Sequence, residues 1–159
     1  MQKYYQFSNI VRPQILIVEP ALDVRLRMSK AFHDIKLRVV AVSNGAEALD
    51  IIQGFGLPDI ALIELLLPDM NGMELATQLY KRKALPIIMT AYHAEVETVV
   101  NLLDLVAEDF IKKPFAEREM VARVMRLLPK EFLIRSSTHT SLNGETAQFD
   151  DMNARMKLN

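Results

Sequence analysis

A doubly wound α/β fold, a parallel sheet with helices on both faces, is predicted by the alternation of short apolar runs with helix-period segments from residue 14 to about residue 128. Two further observations agree. The apolar runs are continuous rather than alternating, which suits strands covered on both faces. The stretch also has a length that fits five βα units.

Taken in order, the first strand is Gln14 to Glu19, QILIVE. The helix after it carries a loose stripe of Leu22, Leu26, Met28, Phe32 and Ile35. A second strand spans Leu37 to Ala41. Asn44 then stands where a cap is expected, ahead of Gly45-Ala46-Glu47-Ala48-Leu49, and Pro58 keeps that helix out of the third strand, Asp59 to Glu64. The fourth strand is Leu85 to Thr90. From Val96 to Val106 the fourth helix carries Val96, Val99, Val100, Leu102, Leu103, Leu105 and Val106, more apolar surface than one face can bury. Such a surface calls for a partner. The fifth strand is Asp109 to Lys112, and in the last helix Met120, Val121, Val124, Leu127 and Leu128 recur at amphipathic spacing.

Composition excludes several classes. The chain has 159 residues, 50% hydrophobic and 25% charged, which suits one domain with extensions. A formal net charge of -1 gives no overall bias toward nucleic acid or anionic membrane, and no direct nucleic-acid binding is expected. Without cysteine there is neither a disulfide framework nor a thiolate metal site. The most apolar run, Ile60 to Leu67, is interrupted by Glu64 and stopped by Pro68, short of the ~20 residues a membrane span needs. A cytoplasmic location is expected. The division expected is an extension over residues 1–13, the domain over 14–130, and a polar tail or linker over 131–159 with an Asn143-Gly144 turn signal.

In a doubly wound sheet, ligands gather outside the carboxyl ends of the strands. Four residues of this chain converge on that edge: Glu19, Glu64, Thr90 and Lys113. Two carboxylates, a hydroxyl and an ammonium make a candidate site for a phosphoryl group or a cation. Each alone is better read as a solvated or backbone-satisfied side chain; their equivalent positions at four strand ends single them out.

The pieces ILIVE19, SNGAEALDII52, PDIALIELLLPDMNGMEL75, LPIIMTAY92, EDF110 and KKPF115 resemble, in order, the receiver domain of bacterial two-component response regulators. The resemblance covers residues 14–128 and implies a flavodoxin-like (βα)5 fold with strand order 2-1-3-4-5. It also implies a phosphoacceptor aspartate ending the third strand, Mg²⁺ held by that aspartate and an acidic pair after the first strand, and a threonine and a lysine contacting the phosphoryl oxygens. Thr90 and Lys113 match the last two roles, and Phe110 matches an aromatic switch position, although an aromatic on a sheet is more often core.

Two positions depart from the pattern. Glu64 stands at the phosphoacceptor position, and the acidic pair has become Glu19-Pro20, whose ring carries no ligand atom. Glutamate projects one methylene further than aspartate, and a displacement of about 1 Å can slow an oriented reaction about a hundredfold. Mg²⁺ demands near-octahedral oxygen geometry, so its binding is expected to be weak or absent. Glu64 either imitates a phosphorylated aspartate by reaching Lys113 and Thr90, or forms a static ion pair with Lys113 in a site that no longer switches.

The segment Glu119-Met-Val-Ala-Arg123 resembles the OmpR/PhoB-like subfamily. That resemblance implies a homodimer through the fourth helix, fifth strand and fifth helix, with Val100, Leu103 and Val121 at its apolar centre and Asp109 with Arg123 as a cross-interface ion pair. Val99 replaces the basic residue that would meet Glu119, and Met125 the one that would meet Asp104. A more apolar interface follows, able to form without phosphate. The expected function is a phosphorylation-independent receiver that binds rather than catalyses, in a regulator of transcription. The alternatives are a competent receiver using Glu64 or Glu19 as acceptor, and a degenerate scaffold binding another small ligand. The end of the chain, Ala147 to Asn159, faintly resembles the first strands of a winged-helix domain, which would make the chain a fragment with a DNA-binding output domain beyond it.

Overall fold

The structure, a computed structural model, describes residues 12–130. Expectations for residues 1–11 and 131–159, including the polar tail and its faint winged-helix resemblance, lie outside that range. Ten elements alternate: β1 (Gln14–Val18), α1 (Leu22–Asp34), β2 (Arg38–Val42), α2 (Gly45–Phe55), β3 (Ile60–Glu64), α3 (Gly72–Arg82), β4 (Ile87–Ala91), α4 (Val96–Leu105), β5 (Asp109–Lys112) and α5 (Glu117–Leu127). The sheet is parallel throughout, in the order β2-β1-β3-β4-β5. This is the expected doubly wound, flavodoxin-like arrangement.

Continuous apolar strands are needed because each face of the sheet has its own core. Successive side chains of a strand point to opposite faces. Leu16, Val18, Ala61, Ile63, Ile87 and Met89 therefore join Ala48, Ile52, Leu75, Leu79 and Leu102 of α2, α3 and α4 in one cluster. On the other face Ile15, Ile17, Ile60, Leu62 and Ile88 meet Val24, Met28 and Phe32 of α1 and Met120 and Val124 of α5. β3 and β4, in the middle, are buried along their whole length.

Local chemistry sets the boundaries. Asn44 caps α2 as expected, its Oδ1 accepting the Glu47 N–H at 2.9 Å, while Glu47 reaches back to the Ser43 N–H at 3.1 Å. α2 ends at Gly56, whose φ of 88° no other residue adopts cheaply, two positions before Pro58. β2 begins at Arg38 rather than Leu37 because Lys36 sits in the left-handed region, φ 70°, and prolongs the turn. β4 begins at Ile87 rather than Leu85, after Pro86, which has no N–H to give the ladder.

The apolar stripe read for the first helix is corrected. Val24, Met28 and Phe32 face the sheet, whereas Leu22, Leu26 and Ile35 are exposed. Leu22 and Leu26 share one helical face and Val24, Met28 and Phe32 another, with Ile35 past the helix end, and the sheet selects the face that packs on Ile15 and Ile17. No helix among the described residues is long and apolar enough to cross a membrane.

Candidate functional site

Glu19 follows β1, Glu64 ends β3, Thr90 lies in β4 and Lys113 follows β5. Among the described residues these four make up the buried polar and charged set, each 5% exposed or less. Burying charge in this way is tolerable only when partners neutralise it and hydrogen bonds complete it.

The register accounts for their meeting. Glu64 pairs with Thr90 across β3 and β4, so both side chains stand at one level, and the Thr90 hydroxyl donates to Glu64 Oε2 at 3.2 Å. The Lys113 N–H donates to the Ala91 carbonyl at 2.7 Å, which fixes the lysine backbone beside the end of β4. Its ammonium then lies 2.6 Å from Glu64 Oε2 and also donates to Glu19 Oε2. The outer oxygens are satisfied by backbone: Ala21 N–H donates to Glu19 Oε1 at 2.9 Å, and Leu66 N–H to Glu64 Oε1 at 3.3 Å. Arg25 holds the turn from outside, donating to the Glu19 and Pro20 carbonyls at 2.6 and 3.1 Å.

Burial alone would lower the Lys113 pKa, because it penalises the charged form. The hydrogen bonds to Glu19 and Glu64, with the charges of both, outweigh it and hold the ammonium above the ordinary lysine value. The Tyr92 ring lies over the same nitrogen, 5.0 Å from its centroid.

The loop after β3 is built to fix Glu64. Gly72 opens α3 so close to the strand end that a Cβ there would lie 2.1 Å from the Glu64 carbonyl oxygen, and its N–H donates to the Leu65 carbonyl at 2.8 Å. Asn71 caps α3 by accepting the Met73 N–H at 2.9 Å. Asp69 crosses to the start of α2, accepting the Gly45 and Ala46 N–H groups at 3.0 and 2.8 Å; those bonds, Gly45 foremost, hold its carboxyl below the usual aspartate range.

Above the cluster lies a cleft of about 470 Å³ lined by Glu19, Pro20, Ala21, Glu64, Leu66, Tyr92, His93 and Lys113. The Mg²⁺ that the receiver resemblance implies does not fit these residues. Pro20 offers no ligand atom, each oxygen of the Glu19 and Glu64 carboxylates already accepts a hydrogen bond, and an ammonium bridges the pair.

Sequence reasoning named the four strand-end residues and the Glu64 to Lys113 pair. It missed the second half of that pair: Lys113 is shared with Glu19, 94 residues away. Tyr92, Arg25 and the capping Asp69 were also missed. Tyr92, two residues beyond Thr90 at the strand end, carried a signal that could have found it.

The residues expected at an interface lie apart from the cluster. Val100 and Leu103 are 48% and 44% exposed, and Val96 and Leu105 more so, while Leu102 is buried. The fourth helix therefore does carry apolar surface that the domain leaves uncovered. Val121 is half-buried against the α1/α5 core, and Phe110, also half-buried, packs on the opposite core. Arg123 joins two acids within the chain, Asp109 at 2.9 Å and Glu119 at 2.9 Å, and Arg126 reaches Asp109 at 3.2 Å.

Comparison with known proteins follows the same architecture. The family model for the response regulator receiver domain matches residues 15–125. The chain is 31% identical over 140 residues to a protein named as a probable transcriptional regulator, ycf27, of Cyanophora paradoxa, the match covering 88% of this chain and 58% of that one. It is 31% identical over 149 residues to a protein named as a probable transcriptional regulatory protein of Picosynechococcus, covering 89% of this chain and 57% of that one. The chain thus spans little more than half the length of these curated relatives. Among solved structures, a response regulator receiver domain protein from Methanospirillum hungatei aligns with a TM-score of 0.69 at 23% identity, over 80% of this chain and 98% of that one. The receiver domain of NtrX from Brucella abortus aligns with a TM-score of 0.67 at 26% identity, over 72% and 97%.

Proposed function

Because the chain belongs to the response regulator receiver domain family, we propose that it is a receiver that works without phosphorylation, a dimerisation and protein-interaction module of a regulator of transcription. One observation carries this reading. Glu64, at the phosphoacceptor position, already engages both groups that would hold a phosphoryl oxygen, Lys113 at 2.6 Å and Thr90 at 3.2 Å. A carboxylate brings less charge than a phosphoryl group, so the imitation is partial, but it needs no donor and no metal.

The output in this reading follows from α4. Val96, Val100 and Leu103 of α4 present exposed apolar surface on a helix packed beside β5. Removing that surface from water drives association without a charge-changing trigger. The names of the curated relatives support a DNA-binding output domain outside the described residues.

Two measurements on one sample test the proposal. After incubation with acetyl phosphate and Mg²⁺, intact mass is expected to show no phosphate adduct, and light scattering is expected to show a dimer before and after treatment. A stoichiometric adduct would identify a competent receiver with a non-standard acceptor. A monomer at high protein concentration would remove the dimer.

A further inference from the structure

We infer that Lys113 is the permanent cation of the strand-end pocket: its ammonium stands where a divalent ion would have to bind to use Glu19 and Glu64 together, and it closes the site to divalent metal. The two carboxylates converge on one nitrogen. Glu19 Oε2 and Glu64 Oε2 both meet Lys113 Nζ, and all three side chains are 7% exposed or less. A metal ion approaching either oxygen would meet a like charge at contact distance in a site shielded from water, where such repulsion is strong. Among the described residues the cleft offers the ammonium no third anion, since its other lining is the Tyr92 ring, His93, Pro20, Ala21 and Leu66.

A simpler account blames Pro20 alone, which lacks a ligand atom. The two accounts part at Lys113. If the missing ligand were the whole reason, removing the lysine would change nothing. If the lysine is the resident cation, removing it leaves two buried carboxylates aimed at one point, a charge deficit that a divalent ion relieves.

The probe is Mn²⁺, titrated into the whole chain and followed by electron paramagnetic resonance of the free ion and by calorimetry. Wild type and Lys113→Arg are expected to bind none at millimolar concentration. The neutral variants Lys113→Met and Lys113→Gln are expected to gain affinity by more than about tenfold. Where a neutral variant is unfolded in metal-free buffer, recovery of its helical circular dichroism on adding Mn²⁺ is the same gain read as folding. Wild type binding Mn²⁺ as tightly as the neutral variants overturns the inference, as does a folded neutral variant that gains nothing or a failure of both to recover structure with Mn²⁺. The inference deepens the reading of the pocket proposed above. Its readout is independent of the phosphate adduct and of oligomeric state, so either can fail without the other.

Discussion

At the scale of single residues, Lys113 ties three strand ends together and is the position where a small change has the largest effect. Replacing it by methionine in metal-free buffer leaves Glu19 and Glu64 buried without their counter-ion, and breaking a buried pair in this way destabilises by about 3–5 kcal/mol. Urea unfolding checks this, and a loss near zero would mean that the carboxylates find water. The pH dependence has a definite sign. Lys113 is raised above its ordinary value of 10.5, so its contribution is fully present below that value and is lost as pH climbs through the raised one. The difference in unfolding free energy between wild type and Lys113→Met is therefore expected not to fall between neutrality and the ordinary lysine range and to decline only beyond it. A decline already under way near neutrality contradicts that assignment. The four buried polar residues were legible in the sequence because strand ends in a doubly wound sheet are equivalent places. The sharing of Lys113 was not. It depends on the depth at which each carboxylate enters the cluster, and that is set by the Ala21 and Leu66 N–H groups behind them.

Elements place these residues, and the junction of β3 with α3 does so most tightly. Gly72→Ala introduces a methyl group against the Glu64 carbonyl, a backbone atom that has no rotamer to change. Overpacking of this kind destabilises by about 1–3 kcal/mol. Its expected companion is a displaced Glu64 peptide, visible as altered amide chemical shifts at Glu64 and Leu65; a variant with native stability and unmoved shifts would show that the loop yields freely. The strands and the α2 cap were readable because apolar runs, Asn44 and Glu47 act locally. α1 was misread for a tertiary reason. Leu22 and Leu26 share one helical face as surely as Val24, Met28 and Phe32 share another, and only docking on the sheet decides between them. β2 and β4 start late for local reasons, the positive φ of Lys36 and the missing N–H of Pro86, neither of which alters the apolar pattern.

For the whole molecule, function is proposed for two regions, the strand-end pocket and the apolar face of α4. In the proposed dimer, Leu103→Glu places a charge in an apolar interface and is expected to raise the dissociation constant by about tenfold or more. Leu103 is 44% exposed in the single chain, so the thermal stability of the monomer should change little. Sedimentation across a concentration series reads the first effect and a melting curve the second. Unchanged association would move the interface elsewhere on the surface. The excess of apolar residues on α4 was legible from composition alone, whereas the Arg123 fork to Asp109 and Glu119 was not, because the sequence does not say whether a charge is answered within its own chain or by another. That fork has a consequence for fidelity inside the cell. In the proposed dimer, an arginine that already answers Asp109 and Glu119 of its own chain is less free to pair across the interface, which weakens one polar code with which paralogues bearing similar domains would be turned away. Insulation from crosstalk then falls to the contour of Val96, Val100 and Leu103, and mixed pairs would be sorted by steric fit.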